Sequence, residues 1–309
     1  MQNIFIDENC QGLRDLARRD LQEIFPQGKL YQHYPSAPIF DLSLQTATGA
    51  SARALAEGEF YSACAIDAVV PELVPKAVGW GQYQNHKSQD VYFFLGNFHD
   101  MVLIEEPPDP AHFMSQIAEM HQKGTSPNGM FGVPVATVCG IMERTVTWEQ
   151  SRAKSFTYQL KDVIKYDNEA NGPWPEYDAA CKQLIDVVIP RLLGVLQSDG
   201  REIKPSLIHG YLWEQNIGID METKKSSSLR CWVHLWAQRN GIWNVEVLMG
   251  DILQRAEIHT VVQEFKASEP ENEWDDRNRL YSIHPYLNDS AGHPGSVSRQ
   301  RSVFFIGVW

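Results

Sequence analysis

The sequence has no run of apolar residues approaching the ~18 that a bilayer-crossing helix needs, and it has no block of lysines and arginines. The first absence argues against a membrane-spanning segment. The second, together with a formal net charge of -12, removes the electrostatic footprint that a nucleic acid or an anionic membrane face requires. Cysteine is sparse. Cys10, Cys64, Cys139, Cys181 and Cys231 are far apart, odd in number and form no C-x-x-C pair, so neither a disulfide framework nor a zinc knuckle is expected. The ten histidines include no H-x-x-x-H and no His/Cys pair at ligand spacing, which argues against a histidine-held metal. There is no internal repeat. The opening MQNIFIDENC carries Asp7 and Glu8 where a secretory leader is basic and then apolar, so a cytoplasmic protein is expected.

What is present is the composition of a globular chain. At 309 residues, 43% hydrophobic and 21% charged, it is long enough for two lobes with a sizeable core. From Ala52 to about Val70 an Ala/Glu-rich stretch without proline reads as a helix after the turn-like TATGAS. The β-branched and aromatic stretches KAVGWGQY and DVYFFL, separated by the polar QNHKSQ, read as a hairpin. Pro107, Pro108 and Pro110 then break any regular element, and Asp109 is placed to cap a helix running to Gln122. Two longer helices are expected at about Trp148 to Tyr166 and Glu176 to Gln197. The reading is therefore α+β, with a small sheet-plus-helix lobe over residues 1–97 and a mainly helical lobe over residues 98–309.

The most informative stretch is KPSLIHGYLWEQNIGID, Lys204 to Asp220. It resembles the catalytic loop H-G-D-L-W-x-x-N of the fructosamine (ketosamine) kinases, with His209, Gly210, Leu212, Trp213 and Asn216 at matching positions. The segments ALAEGEFYSA, VPKAVGWG, FFLGNFHDM, SPNGMFG and SEPENEWDDRNRLYSIHPYLNDSAGHPGS are similar to family segments as well. The resemblance runs from about Ala47 to Arg299. It implies a bilobal protein-kinase-like fold of the aminoglycoside-phosphotransferase type, ATP and Mg²⁺ as cofactors, and a ketosamine substrate. That substrate is a glycated amine or protein, typically phosphorylated on the 3-hydroxyl of a fructosamine or ribulosamine as a deglycation repair.

Carried over residue by residue, the resemblance shows damage. Tyr211 stands where the family has its catalytic Asp, next to the matching His209. A phenol with an ordinary pKa of about 10 is neutral at pH 7 and is no anionic acceptor for a sugar hydroxyl. Gln45 stands at the position of the phosphate-binding lysine, and a neutral amide brings no counter-charge. Glu59 would be the acid that orients that lysine, or simply a solvated helix carboxylate. Asn216 matches the metal-binding Asn. Gly96, Asn97, Phe98 and His99 would form the hinge that meets the adenine, and Trp213 would line the sugar pocket, core packing being the alternative for Phe98 and Trp213. Arg277 and Tyr281 are expected to brace the helical lobe. No glycine-rich phosphate loop precedes Gln45, and Gln2 to Phe40, with its helix-like GLRDLARRDLQEIF, lies outside the resemblance.

A second kind of damage follows Asp220. The family continues with a strand ending in a metal-binding Asp and a Y-G/A-H-N-E-x-E-x-G-x-W-R motif, where this chain reads SSSLRCWVHLWAQRNGIWNVEVLMGDILQ. Permitted codons for this stretch, read one nucleotide later, give VVVFDAGCIYGHNEMEFGMWRCSWATYFR. Trp232-Val233, Trp236-Ala237 and Trp243-Asn244 each force a glycine codon in the shifted frame, and two of these glycines fall where the family places one. Residues 226–254 thus read as out of frame, with Arg230 overlapping the codon of the metal-binding Asp. No function is assigned to Arg230, His234, Glu246 or Asp251. The shifted stretch implies loss of the strand at Ser226; the family pattern returns near Arg255, and the tail RQRSVFFIGVW after Ser298 departs from it once more, where a final helix would be expected. Three functional readings stand: a ketosamine kinase by family that is inactive, a pseudokinase binding module, and a pseudogene or misjoined gene product.

Overall fold

The computed structural model describes residues 28–33, 42–71, 73–83, 91–97, 99, 101–103, 110–139, 142–210, 216–221, 226–228, 235–237 and 269–307. The helix-like stretch ending at Phe25, Phe98, the capping Asp109, Tyr211 and Trp213 lie outside the described residues.

A four-stranded antiparallel sheet is built from β1 (Gly28–His33), β2 (Leu42–Thr48), β3 (Ala77–Tyr83) and β4 (Val91–Asn97), in the order β1-β3-β4-β2. The hairpin expected from KAVGWGQY and DVYFFL is β3 against β4, with Trp80 opposite Phe94 and Gly81 opposite Phe93. Helix α1 (Ala52–Asp67) packs against β2, β3 and β4. Its small residues permit close approach. A Cβ at Gly58 would lie 3.0 Å from the carbonyl oxygen of Ala136, so this glycine lets α1 rest directly on residues 136–137.

Short strands follow the sheet. β5 (Met101–Leu103), β9 (Ile217–Asp220) and β10 (Ser226–Ser228) form a three-stranded sheet in the order β10-β9-β5. β6 (Val138–Cys139) pairs with β7 (Met142–Glu143), and β8 (Ser206–Ile208) pairs with β11 (Leu235–Ala237).

The helical part consists of α2 (Pro110–Lys123), α3 (Arg152–Asn171), α4 (Pro175–Gln183), α5 (Trp274–Gly292) and α6 (Ser298–Ile306). Ser151 caps α3 by accepting from the Lys154 N–H, and Gly172 ends it at φ 77°, a left-handed conformation that glycine adopts without Cβ strain. The single helix expected from Glu176 to Gln197 is α4 continued by π-helical turns at Leu184–Val188 and Pro190–Gly194 and a 3₁₀ turn at Val195–Gln197. Pro190 supplies the reason, because it has no N–H to donate and its ring crowds the carbonyl four residues back, so the turn widens.

Two apolar cores result. Phe60, Ile66, Leu73, Trp80, Phe94, Phe113, Ile117, Met120, Leu207 and Ile217 join the sheet, α1 and α2 to the strands beside the H-G-Y-L-W loop. Phe156, Leu160, Val163, Tyr177, Leu184, Leu192, Leu280, Ile283 and Leu287 fill the helical lobe. At about 1.5–3 kcal/mol for each fully buried large apolar side chain, these clusters are the main favourable contribution to folding.

Two expectations are corrected. Ser226–Ser228 do form a strand, β10, paired antiparallel with β9. A ladder is made by backbone groups, and serine supplies those as well as valine does. The tail is helical too: α6 begins at Ser298 and is tied down by Arg299, whose guanidinium pairs with Asp167 at 2.7 Å.

Arg277 is fully buried and donates from Nη2 to the Pro270 carbonyl at 2.8 Å, while Tyr281 meets Phe156 edge-on at 5.3 Å. Both brace the helical lobe as expected.

Candidate active site

Three short strands carry the loop region. β8 leads into His209, and β9 begins directly after Asn216. β5 pairs with β9, placing Met101 opposite Asp220 and Leu103 opposite Gly218. The approach to β8 is close. A Cβ at Gly124 would stand 2.5 Å from the Leu207 Cβ and 2.6 Å from the Met120 carbonyl oxygen, and the Gly124 carbonyl accepts from the Leu207 N–H. Gly210, at φ 78°, turns the chain after His209 through the left-handed region open to glycine.

The hinge stretch and the loop region meet through side chains. His99 Nδ1 and Asp220 Oδ2 are 2.6 Å apart, with Asp220 7% exposed and His99 29%. The sequence places these residues 121 positions apart, and no local pattern signals the pair. Asp220 is the residue that sequence reasoning passes over. Gly96 and Asn97 end β4 on the same approach: Gly96 is buried and pairs with both Ser43 and Ala77, and the Asn97 N–H donates to the Lys76 carbonyl at 2.9 Å.

His209 and Asn216 are 3% and 5% exposed, so both are enclosed side chains at the two ends of the loop. Gln45 lies on β2 opposite Phe94 and is half-buried. Glu59 lies on α1 and is 5% exposed, which corrects the alternative of a solvated helix carboxylate. Carboxylates are buried only where something compensates the charge, and Glu59 is one that the fold encloses.

The first strand adds a topological fact. β1 pairs with β3, at the edge of the sheet remote from β2. Among the described residues no strand lies along the outer edge of the strand that carries Gln45. On the other side of the loop, β10 sets Ser228 opposite Ile217, one residue from Asn216.

Metal-binding groups are few here. Among the described residues there is no group of three or more His, Cys, Asp or Glu side chains that could hold a metal ion. Among them, too, no helix is long and apolar enough to cross a membrane.

This arrangement of a small sheet with one helix, a connecting stretch and a mainly helical lobe is the protein-kinase-like fold. It is similar to a candidate fructosamine-3-kinase from Thermobifida fusca YX-ER1, with a TM-score of 0.68, 16% identity and 95% of this chain and 98% of that one covered. It is also similar to one from Haemophilus somnus 129PT, with a TM-score of 0.66, 17% identity and coverage of 86% and 83%. A thermostable mutant of the aminoglycoside phosphotransferase APH(4)-Ia gives a TM-score of 0.56 at 12% identity, over 93% of this chain and 96% of that one. No curated protein matches the sequence. The sequence profile described as fructosamine kinase matches residues 44–300, and the chain belongs to that family.

Proposed function

We propose that this chain is a fructosamine kinase family member that keeps the framework of an ATP-dependent ketosamine 3-kinase and does not carry out the transfer. The observation that carries this reading is Tyr211 in the place of the catalytic Asp. Phosphoryl transfer depends on positioning and on charge stabilisation. Losing the general base alone costs about 10² to 10⁴ in rate.

Among the described residues, those at the loop do not fit a Mg²⁺–ATP complex of the family's kind. Magnesium in such sites is held by carboxylate oxygens together with substrate phosphates. At this position the chain offers the neutral amide of Asn216, while Asp220 is engaged by His99. Gln45 brings no positive charge to a phosphate, and nothing among the described residues runs beside β2 to cover one. No transfer step is therefore assigned to this chain. In the same reading His209 and Gly210 shape the loop, Glu59 takes the position of the orienting acid, and Gly96, Asn97, Phe98 and His99 are the hinge between lobes that divide at residues 97 and 98. Trp213 belongs to the ketosamine pocket.

A second reading, a non-catalytic binding module, is favoured by the His99–Asp220 pair, which holds the hinge stretch against the loop region whether or not chemistry occurs. One experiment separates the two. Purified chain is incubated with ATP, Mg²⁺ and a fructosamine, and ADP release and thermal melting are both followed. The expected result is no turnover. Turnover that disappears in Tyr211→Phe overturns the proposal. A ligand at about 100 times its Kd adds ~2.7 kcal/mol of stability, so a melting shift with nucleotide and no turnover identifies the binding module.

A further inference from the structure

Away from the loop region, the helical lobe encloses two arginines that have no acidic partner among the described residues. Arg144 follows β7 and is 6% exposed, and Arg152 opens α3 and is 4% exposed. Arg144 donates from Nη2 to the Asn288 Oδ1, while its Nη1 has no hydrogen-bond partner. Arg152 is less satisfied still. Its Nε and Nη1 are buried without a partner. Its guanidinium lies over three rings, 5.0 Å from the centre of Tyr281, 5.2 Å from Phe156 and 5.9 Å from Phe131. Ring quadrupoles attract a cation but cancel none of its charge and accept no directed N–H bond of ordinary strength.

His284, half-buried, shares a ring neighbour with Arg152 and a helix face with the partner of Arg144. Its ring centre is 6.4 Å from that of Phe156, the ring that Arg152 also covers. On α5 it is four residues from Asn288, so it shares a helix face with the group that holds Arg144. Burial, then Arg144 and Arg152, pull the imidazole well below its usual range, leaving a neutral ring that still has an N–H to donate. Elsewhere in the same lobe a buried guanidinium is paired: Arg299 has Asp167. Fixed positive charge without a counter-charge is the costly arrangement in a protein interior.

We infer that Arg144, Arg152 and His284 form an internal receptor for a small inorganic anion of the halide class. The orphaned N–H groups of both guanidiniums supply charged donors, and the imidazole supplies a neutral one. Phe131 and Phe156 add no further donor and no charge, so the guanidiniums and the imidazole are the donors on offer, a set that suits a small monovalent ion. That set would leave the outer oxygens of a phosphate unsatisfied. A water molecule accepts an N–H bond in such a place but neutralises nothing.

The test uses the full chain at constant ionic strength, with sodium gluconate replaced stepwise by sodium chloride or bromide while thermal melting is followed. Wild type should show a saturable rise, since an anion at about 100 times its Kd moves the folding equilibrium about 100-fold. Arg152→Met keeps the length of the side chain inside the aromatic box and should lose that rise. In gluconate it should melt no lower than wild type, because an uncompensated charge has been removed. An unchanged melting point in wild type, or an equal halide response in Arg152→Met, overturns the inference. If the variant does not fold, wild-type crystals grown in bromide decide. An anomalous peak ~3.3 Å from the two guanidiniums supports the site, and an ordered water without anomalous signal refutes it.

Discussion

Arg299 and Asp167 form a buried ion pair that ties the last helix to α3: Nε and Oδ2 are 2.7 Å apart, with Asp167 fully buried and Arg299 10% exposed. The pair is well served by its surroundings. Asn171 Nδ2 and Ser290 Oγ donate to Asp167 Oδ1, Arg299 Nη2 donates to Asn168 Oδ1, and the guanidinium lies 4.3 Å over the Tyr177 ring. Removing one partner leaves a buried charge alone, at a cost of about 3–5 kcal/mol. Arg299→Met should therefore destabilise by that order in chemical denaturation. The double variant Asp167→Asn/Arg299→Met should lose clearly less than the sum of the two single variants. Additive losses would show that the pair is not coupled.

Two glycines that look alike in the sequence should respond oppositely to alanine. At Gly124 the new Cβ would collide with the Leu207 Cβ and the Met120 carbonyl oxygen, and overpacking of this kind costs about 1–3 kcal/mol. At Gly292, the last residue of α5, a Cβ would meet nothing within 4 Å. Alanine there should stabilise by about 0.4–1 kcal/mol by restricting the unfolded chain. Melting temperatures of the two variants, measured side by side, check both signs.

Cys64 and Cys181 should be slow to alkylate in the folded chain. Burial pushes Cys181 up to about 12 and, with help from the charge of Asp67, Cys64 up to about 11. The thiolate is the reactive form, so iodoacetamide at pH 8 should label these two residues only after denaturation. The folded state binds these protons more tightly than the unfolded one. Their contribution to stability is thus complete below the unfolded-state pKa of about 9 and is lost as pH rises from there through about 11 and 12. Unfolding monitored from pH 8 to 11 should show the decline, and Cys181→Ala should flatten it.

How far the sequence reaches can be argued residue by residue. Phe113, Ile117 and Met120 fall on the buried face of α2 because their spacing is helical, and the stretches around Trp80 and Phe93 pair because a polar loop separates them. These signals are local. The His99–Asp220 contact is not, and it rests on a register between β5 and β9 that no window of sequence contains. The widened turns around Pro190 are hidden because the apolar spacing on either side continues as if the helix were regular. β10 escapes for the opposite reason, since three serines carry no strand propensity and the neighbouring β9 supplies the order. Membership of the kinase-like fold is legible in the H-G-Y-L-W loop, within Lys204 to Asp220, and in the segments around it from Ala47 to Arg299. The profile match covers the same ground, residues 44–300.

Repair should require both kinds of change. On the site assignments proposed above, Tyr211→Asp with Gln45→Lys supplies the base and the phosphate cation but not the metal-binding Asp, so this double variant should remain without turnover. Replacing residues 226–254 by VVVFDAGCIYGHNEMEFGMWRCSWATYFR in that background should give ADP release dependent on a fructosamine. Activity in the double variant alone would show that the 226–254 segment is not what disables the chain.

The Ser226–Ser228 strand has one more consequence. Its ladder with Ile219, Gly218 and Ile217 is written in a single letter, and a slide of one residue at its centre exchanges serine for serine. Register in a sheet is normally fixed by which side chains must face inward. Here the strand has a place to dock but no alphabet with which to say how far along it should sit, so its alignment is dictated by the partner strand and the flanking chain.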